Sequence, residues 1–173
     1  MDTGSWFDKE FAGERIPTLE EVLSFLGLNI NLVVEIKDGG NSPQLIDRVI
    51  KIITDRKLID RVRISSFSLK VLRQVKKSNI KFITSALFEE LDLAKDLNSI
   101  KSSGINIISS HFSIIDRDLV NKVHALGYPV IAWGLKQANE KVMKFLVMCE
   151  VDGMTTNYPD ILERVYLKSK KNN

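Results

Sequence analysis

The feature that most constrains the fold of this chain is a strict alternation of apolar runs and amphipathic stretches. Short apolar runs indicate buried strands, and apolar residues at every third or fourth position indicate helices. Six strands are predicted, at 30–37, 62–67, 80–86, 105–110, 129–133 and 151–156. Each strand leads into a helix. Because strands and helices that alternate in this way form βαβ units, the sequence predicts an α/β fold with one parallel sheet and right-handed crossovers.

A loop and one further helix precede these units. Residues 1–17 mix turn formers with large aromatics and are predicted to be a covering loop. Thr18 and Glu21 have the spacing of a capping box, so a helix is expected to begin at Thr18 and to end at Gly27. At the other end of the chain, the basic residues 168–173 are predicted to be a frayed tail. The helices that follow the six strands are expected at about 43–57, 68–77, 91–102, 117–126, 138–148 and 159–169.

The number of units indicates a barrel that is not complete. A closed (β/α)₈ barrel typically needs about 250 residues, and each unit needs around 30. With 173 residues, the chain is short by about two units, and its first complete element is a helix without its strand. No linker or low-complexity segment divides it. We therefore expect one domain over residues 1–173, an incomplete TIM (β/α)₈-type barrel.

The composition indicates which class of protein this chain belongs to and in which compartment it is expected. The chain is 44% hydrophobic and 27% charged, and its net charge of +3 is spread along the sequence, so it fits a soluble globular protein without a nucleic-acid patch. No run of roughly 18 apolar residues occurs, and the first residues lack the features of a leader peptide. The one cysteine, Cys149, cannot form an intramolecular disulfide. These features predict a cytoplasmic protein with no membrane span.

The first predicted strand ends in Glu35-Ile36-Lys37. In parallel α/β folds, ligands bind at the carboxyl ends of the strands. Glu35 and Lys37 are two residues apart and so point to the same side of the sheet. Glu35 could hold a hard cation and Lys37 a phosphate. A structural ion pair between the two side chains is the alternative, and the strand by itself does not decide between them.

Two further side chains stand at predicted strand ends. Trp133 ends the fifth strand, where its ring could face the mouth of the barrel or cap the core as a rim aromatic. His111 follows the fourth strand and could face a pocket, with a packed or surface role as the alternative. The other histidine, His124, lies within a helix and is expected to be packed or on the surface.

Five stretches together resemble the glycerophosphodiester phosphodiesterase family, metal-dependent TIM barrels that hydrolyse deacylated phospholipids to glycerol 3-phosphate and an alcohol. They are Gly4 to Phe7 with residues 11–23, Glu35 to Lys37, Ser66-Phe67, His124 to Trp133, and Val151 to Asp160. The resemblance covers essentially the whole chain. Departures from the family pattern are Gly134-Leu135-Lys136 in place of threonine, valine and asparagine, Glu150 in place of a glycine, and Asn157 in place of an aspartate.

The resemblance implies a role for several residues. Glu35 would be a ligand of the divalent cation, calcium or magnesium, Lys37 would neutralise the substrate phosphate, and Trp133 would lie against the glycerophosphodiester substrate. The family's other metal ligands and its two acid–base histidines belong to motifs that precede this chain, and neither His111 nor His124 matches them. One carboxylate cannot hold a hard cation that takes six or more oxygens.

The resemblance therefore predicts that the chain alone is inactive and does not hold the metal. Because a barrel without its first strands has unpaired edges at 30–37 and 151–156, the chain is also expected to associate through these open sheet edges. The alternative is a non-catalytic remnant or a weak glycerophosphate-binding domain.

Overall fold

The computed structural model describes residues 2–25, 30–37, 43–135 and 139–171. Over these ranges the chain forms one sheet of six parallel strands, and strands that are consecutive in sequence are neighbours in the sheet. The predicted α/β fold and the incomplete barrel are confirmed. The strands are β1 (Leu32–Glu35), β2 (Val62–Ser66), β3 (Ile83–Phe88), β4 (Ile107–His111), β5 (Val130–Leu135) and β6 (Gly153–Thr156).

In the same described ranges, seven α-helices separate and flank these strands: α1 (Leu19–Phe25), α2 (Pro43–Asp55), α3 (Leu69–Ser78), α4 (Leu93–Ser103), α5 (Arg117–Ala125), α6 (Glu140–Met148) and α7 (Pro159–Lys171). The capping box of α1 is present, since the Thr18 amide donates to Glu21 Oε2 at 2.7 Å and the Glu21 amide donates to Thr18 Oγ1 at 3.2 Å. The first turns of later helices are capped by side chains of Ser68, Asp92, Asp116 and Asn139. Local polar residues thus set where the helices begin.

Several boundaries differ from the sequence prediction. β3 begins at Ile83 rather than at residue 80, because the Asn79 side chain accepts from the Lys81 amide and holds a turn there. β4 begins at Ile107 rather than at 105, and the Asn106 side chain accepts from the Thr84 amide. α7 continues to Lys171, so residues 168–171 are helical where a frayed tail was predicted. Gly27, Lys136 and residues 172–173 lie outside the described residues.

The two faces of the sheet differ in how deeply their side chains are buried. The core lies between the sheet and the helices and contains the fully buried Ile53, Leu72, Phe82 and Leu146. On the other, concave face, the apolar side chains of Val33 and Ile83 remain 54% and 42% exposed.

Arg63 lies between Val33 and Ile83 in the strand register. Its Nε is buried without a hydrogen-bond partner among the described residues, and burial lowers the pKa of its guanidinium. An open cavity of about 340 Å³ lies here, at the amino ends of the strands. The described residues therefore leave the concave face partly apolar and exposed at this end.

The segment before α1 is held together by the carboxylate of Asp2. This carboxylate accepts hydrogen bonds from the Ser5 hydroxyl at 2.6 Å and from the amides of Gly4, Ser5 and Gly13 at 2.9 to 3.0 Å. The bond from the Ser5 hydroxyl contributes most to lowering the pKa of Asp2 far below its usual value. Trp6 and Phe7 stack edge to face and are 82% and 70% exposed, so the covering role of this segment stays a prediction.

We expect Asp2→Asn to open this segment, because an amide cannot accept all four hydrogen bonds. Hydrogen exchange at the Gly13 amide should become faster, whereas Asp8→Asn, in the same segment, should leave it unchanged.

Because the pKa of Asp2 is depressed in the folded state, its stabilising effect is present above the unfolded-state pKa and is lost only as the pH falls through the folded-state value. The wild-type segment should therefore stay closed through the ordinary titration range of aspartate, as followed by the carboxyl ¹³C shift of Asp2. Unchanged Gly13 exchange in Asp2→Asn would contradict this assignment.

Candidate functional site

The carboxyl ends of the strands bring four of the predicted site residues to one edge of the sheet. Glu35 ends β1, His111 ends β4, and Trp133 lies opposite His111 in the register of β5. Lys37 follows Glu35 by two residues, and both side chains are exposed. Because all six strands are parallel, their carboxyl ends share this edge. We call it the mouth, defined by Glu35, Lys37, His111 and Trp133.

Aromatic rings meet across the concave side of the mouth. The Trp133 ring centroid lies 4.9 Å from that of His111 and 5.5 Å from that of Phe67, both edge to face. Phe67 directly follows β2, and two strands separate β2 from β5, so the second contact spans the curl of the sheet. The Trp133 Nε1 donates to the Ser109 carbonyl at 3.2 Å. The indole is therefore held on the inner side of the sheet rather than among the helices.

His111 is fixed by its neighbours. Its Nδ1 accepts from the Ser113 amide at 3.4 Å and lies 2.7 Å from the Ser113 hydroxyl. Because Nδ1 accepts this hydrogen bond, the proton of the neutral imidazole is assigned to Nε2. Gly134 lies beneath the ring with a φ of +91°, and a Cβ at this position would lie 2.5 Å from His111 Cδ2 and Nε2. Gly134 departs from the threonine of the family pattern, and the close approach of His111 gives that glycine a physical reason.

The contacts of Glu35 and Lys37 do not support a structural ion pair. Neither side chain makes a hydrogen bond or ion pair within the described part of the chain, and the two do not pair with each other. Between them, Ile36 is buried; its amide donates to the Ser65 carbonyl at 2.8 Å and its carbonyl accepts from the Ser66 hydroxyl at 2.7 Å. The two charges thus flank one fixed residue and remain available to a ligand.

Sequence reasoning did not identify the contact made by Ser66. The available signal was a pair of adjacent serines near the end of each of two strands, Ser65-Ser66 and Ser109-Ser110. All four are buried, and Ser109 Oγ lies 2.7 Å from Ser85 Oγ. Polar residues at such positions are informative because a buried hydroxyl normally has a hydrogen-bond partner.

A divalent cation is not accommodated by the described residues alone. No three histidine, cysteine or acidic side chains within the described ranges are grouped so that they could hold a metal ion. Calcium takes six to eight oxygen ligands and magnesium demands near-octahedral geometry. Glu35 would therefore need further ligands from outside these residues.

His124 lies away from the mouth. Its Nε2 is 2.8 Å from Asp152 Oδ2, and the same oxygen accepts from the Val130 amide at 2.7 Å. Val130 begins β5 and Asp152 directly precedes β6, so this contact is at the amino ends of the strands. His124 is therefore an exposed residue that links α5 to the sheet, where the sequence predicted a packed or surface role.

The helices of the described chain include none with the length and apolar character needed to cross a bilayer.

Comparisons with known proteins agree with this architecture. Residues 1–161 match the family model of the glycerophosphoryl diester phosphodiesterase family. The chain is 32% identical over 165 residues to the glycerophosphodiester phosphodiesterase of Caldanaerobacter subterraneus, a match that covers 94% of this chain and 66% of that protein. It is 26% identical over 186 residues to a glycerophosphodiester phosphodiesterase of Bacillus subtilis, covering 95% of this chain and 61% of that protein. The chain thus spans about two thirds of the length of these relatives.

A solved structure shares the fold. The phosphodiesterase of Oleispira antarctica, in complex with the product sn-glycerol-3-phosphate, superposes with a TM-score of 0.79 at 22% identity, covering 95% of this chain and 67% of that one. At this identity the likeness concerns the fold alone. The family match over residues 1–161, the six parallel strand–helix units and the Glu35-Ile36-Lys37 strand end show that the chain belongs to the glycerophosphoryl diester phosphodiesterase family.

Proposed function

We propose that this chain supplies the phosphate-binding part of a glycerophosphodiester phosphodiesterase, an enzyme that hydrolyses glycerophosphodiesters to glycerol 3-phosphate and an alcohol. The observation that carries the proposal is the pair Glu35 and Lys37. Both are exposed at the carboxyl end of β1 in a chain of this family, and neither is bonded to another described residue. Ligands bind at the carboxyl ends of the strands in parallel α/β folds, so a charged pair without partners at that position supports a ligand-binding role.

The proposed roles follow from the chemistry of each side chain. The Lys37 ammonium binds the phosphoryl oxygens and offsets their negative charge. Glu35 provides one oxygen to a divalent cation, calcium or magnesium, whose remaining ligands come from outside the described residues. Trp133 and His111 form an aromatic wall against which the glycerol or alcohol part of the substrate packs. The product bound in the Oleispira antarctica enzyme makes sn-glycerol 3-phosphate the first ligand to test.

Residues 1–173 by themselves are proposed to bind a glycerophosphodiester but not to hydrolyse it. The sequence contains two histidines. His111 is packed between Trp133 and Phe112, and His124 is bonded to Asp152 at the opposite ends of the strands. Only His111 lies at the mouth, so these two histidines do not form a general acid and general base pair there. A cytoplasmic location, without a nucleic-acid partner, is part of the same proposal and rests on the composition.

The alternative is a non-catalytic protein that binds a glycerophosphate weakly. One departure from the family pattern favours it. Glu150 stands where the family has a glycine, and its φ is +64°, a left-handed conformation that glycine adopts without strain. Its carboxylate pairs with Arg117 at 3.0 Å, which partly offsets that strain. A chain that tolerates such strain, and also lacks the acid–base histidines, fits a protein no longer selected for turnover.

The proposed phosphate role of Lys37 is tested by calorimetric titration of the chain with sn-glycerol 3-phosphate. We expect Lys37→Met to weaken binding by about tenfold or more, because a hydrogen bond to a charged group contributes roughly 1.5–3 kcal/mol. Lys81→Met is the matched control, since Lys81 is an exposed lysine that precedes β3 and so lies at the other end of the strands. Absence of binding by the wild type, or equal binding by Lys37→Met, would refute the role.

A further inference from the structure

The hydroxyl of Ser66, at the end of β2, makes two hydrogen bonds. The side chain is completely buried, and its Oγ donates to the Ile36 carbonyl at 2.7 Å and accepts from the Ser68 amide at 3.1 Å. A hydroxyl has one proton to donate and lone pairs to accept, so both functions are satisfied. The first of these bonds reaches the residue that separates Glu35 from Lys37.

The bond to Ile36 sets the orientation of one peptide group. The Ile36 amide already donates to the Ser65 carbonyl at 2.8 Å, which continues the β1–β2 ladder one residue beyond Glu35. The Ile36 carbonyl belongs to the peptide group that joins Ile36 to Lys37. With both of its backbone polar groups held, Ile36 cannot rotate without breaking a buried hydrogen bond, which costs free energy. The backbone that carries Lys37 is therefore fixed by a side chain of the neighbouring strand.

The second bond connects this peptide group to a rigid element. Ser68 is the N-cap of α3, where its side chain accepts from the Val71 amide at 3.4 Å. α3 is anchored by the buried Val71, Leu72 and Val75. The Ser66 hydroxyl thus lies between the first turn of an anchored helix and the peptide group before Lys37.

We propose that Ser66 is a positioning residue of the mouth: its hydroxyl holds the peptide group that joins Ile36 to Lys37, so that the Glu35 carboxylate and the Lys37 ammonium keep a fixed relative position. The identity of the ligand that binds Glu35 and Lys37 rests on the proposed function, whereas the positioning itself is a property of the chain without ligand. Sites whose groups are held by packed, hydrogen-bonded neighbours bind more tightly than loosely held ones.

The test compares backbone order in Ser66→Ala, Ser66→Thr and Ser110→Ala. Ser110 is the matched control, because it is also completely buried near a strand's carboxyl end but its Oγ has no hydrogen-bond partner among the described residues. In Ser66→Ala, the ¹⁵N order parameters of the Glu35, Ile36 and Lys37 amides should fall from about 0.85 towards 0.6. Ser110→Ala and Ser66→Thr, which keeps a hydroxyl at position 66, should match the wild type. Unchanged order in Ser66→Ala, an equal fall in Ser110→Ala, or wild-type amides that are already mobile would overturn the proposal.

Binding of sn-glycerol 3-phosphate supplies the second measurement. Ser66→Ala should weaken it by roughly tenfold, and Ser66→Thr should restore it. Equal affinity of Ser66→Ala and the wild type overturns the positioning role. A wild type that does not bind at all refutes the proposed function instead, and the order parameters then decide the role of Ser66 by themselves.

Discussion

A purified polypeptide of residues 1–173, with calcium or magnesium, is expected to hydrolyse glycerophosphocholine at least about 10⁴-fold more slowly than the related Caldanaerobacter subterraneus enzyme. A general acid and a general base each contribute about 10²–10⁴-fold to such a reaction. The chain places only one histidine at the mouth, His111, because His124 is bonded to Asp152 at the other ends of the strands, so a pair of histidines cannot supply both groups.

The assay measures release of glycerol 3-phosphate, with the Caldanaerobacter subterraneus protein as positive control and Glu35→Ala as the variant. Turnover that rises with added metal and disappears in Glu35→Ala would overturn this prediction. It would also show that the groups of the mouth, with Glu35 among them, suffice for catalysis.

The same polypeptide is also expected to self-associate at micromolar concentrations. Within the described residues, β1 and β6 each pair with one neighbour, so each has an edge with unpaired backbone groups that can template pairing with another chain. The exposed concave side chains Val33, Phe67 and Ile83 add apolar surface. Burying side chains of this size contributes roughly 1.5–3 kcal/mol each, a large fraction of the about 5–15 kcal/mol that stabilises a domain.

Sedimentation velocity across a concentration series measures this association. Val33→Lys should reduce it, because a lysine on an edge strand disfavours pairing between sheets. Leu167→Lys is the control, since Leu167 is similarly exposed, at 52%, but lies on α7. Fusing the amino-terminal third of the Caldanaerobacter subterraneus enzyme ahead of residue 1 should yield a monomer with metal-dependent hydrolysis. A wild-type monomer that unfolds cooperatively at ordinary mesophilic temperatures, and gains nothing from the fusion, would show that the open sheet is self-sufficient.

Much of the fold was predictable because its determinants are local. The alternation of apolar runs and amphipathic stretches depends on side chains a few positions apart, and it identified all six strands and the helices between them. Glu35, Lys37, His111 and Trp133 could be assigned to one edge of the sheet because parallel strands share the direction of their carboxyl ends. Boundaries were less predictable. Phe82 is apolar and completely buried, yet it precedes β3, because the Asn79 side chain holds a turn that no apolar pattern reveals.

The resemblance to a family identified the chain but did not explain its departures. The glycine at position 134 was visible in the sequence as a difference from the family pattern. The reason for it, the close approach of the His111 ring from the neighbouring strand, became clear only from the strand register.

By itself, the sequence determined the strand–helix order, the parallel sheet and the family, since these follow from local periodicity and from motifs along the chain. Only the tertiary structure decided which side chains meet. Contact between Trp133 and Phe67 requires the sheet to curl so that β2 and β5 approach across two intervening strands. The bond from Ser66 to the Ile36 carbonyl joins residues 30 positions apart and depends on the register of β1 against β2. Register and curl result from packing of the whole sheet against its helices, so no local pattern of residues contains them.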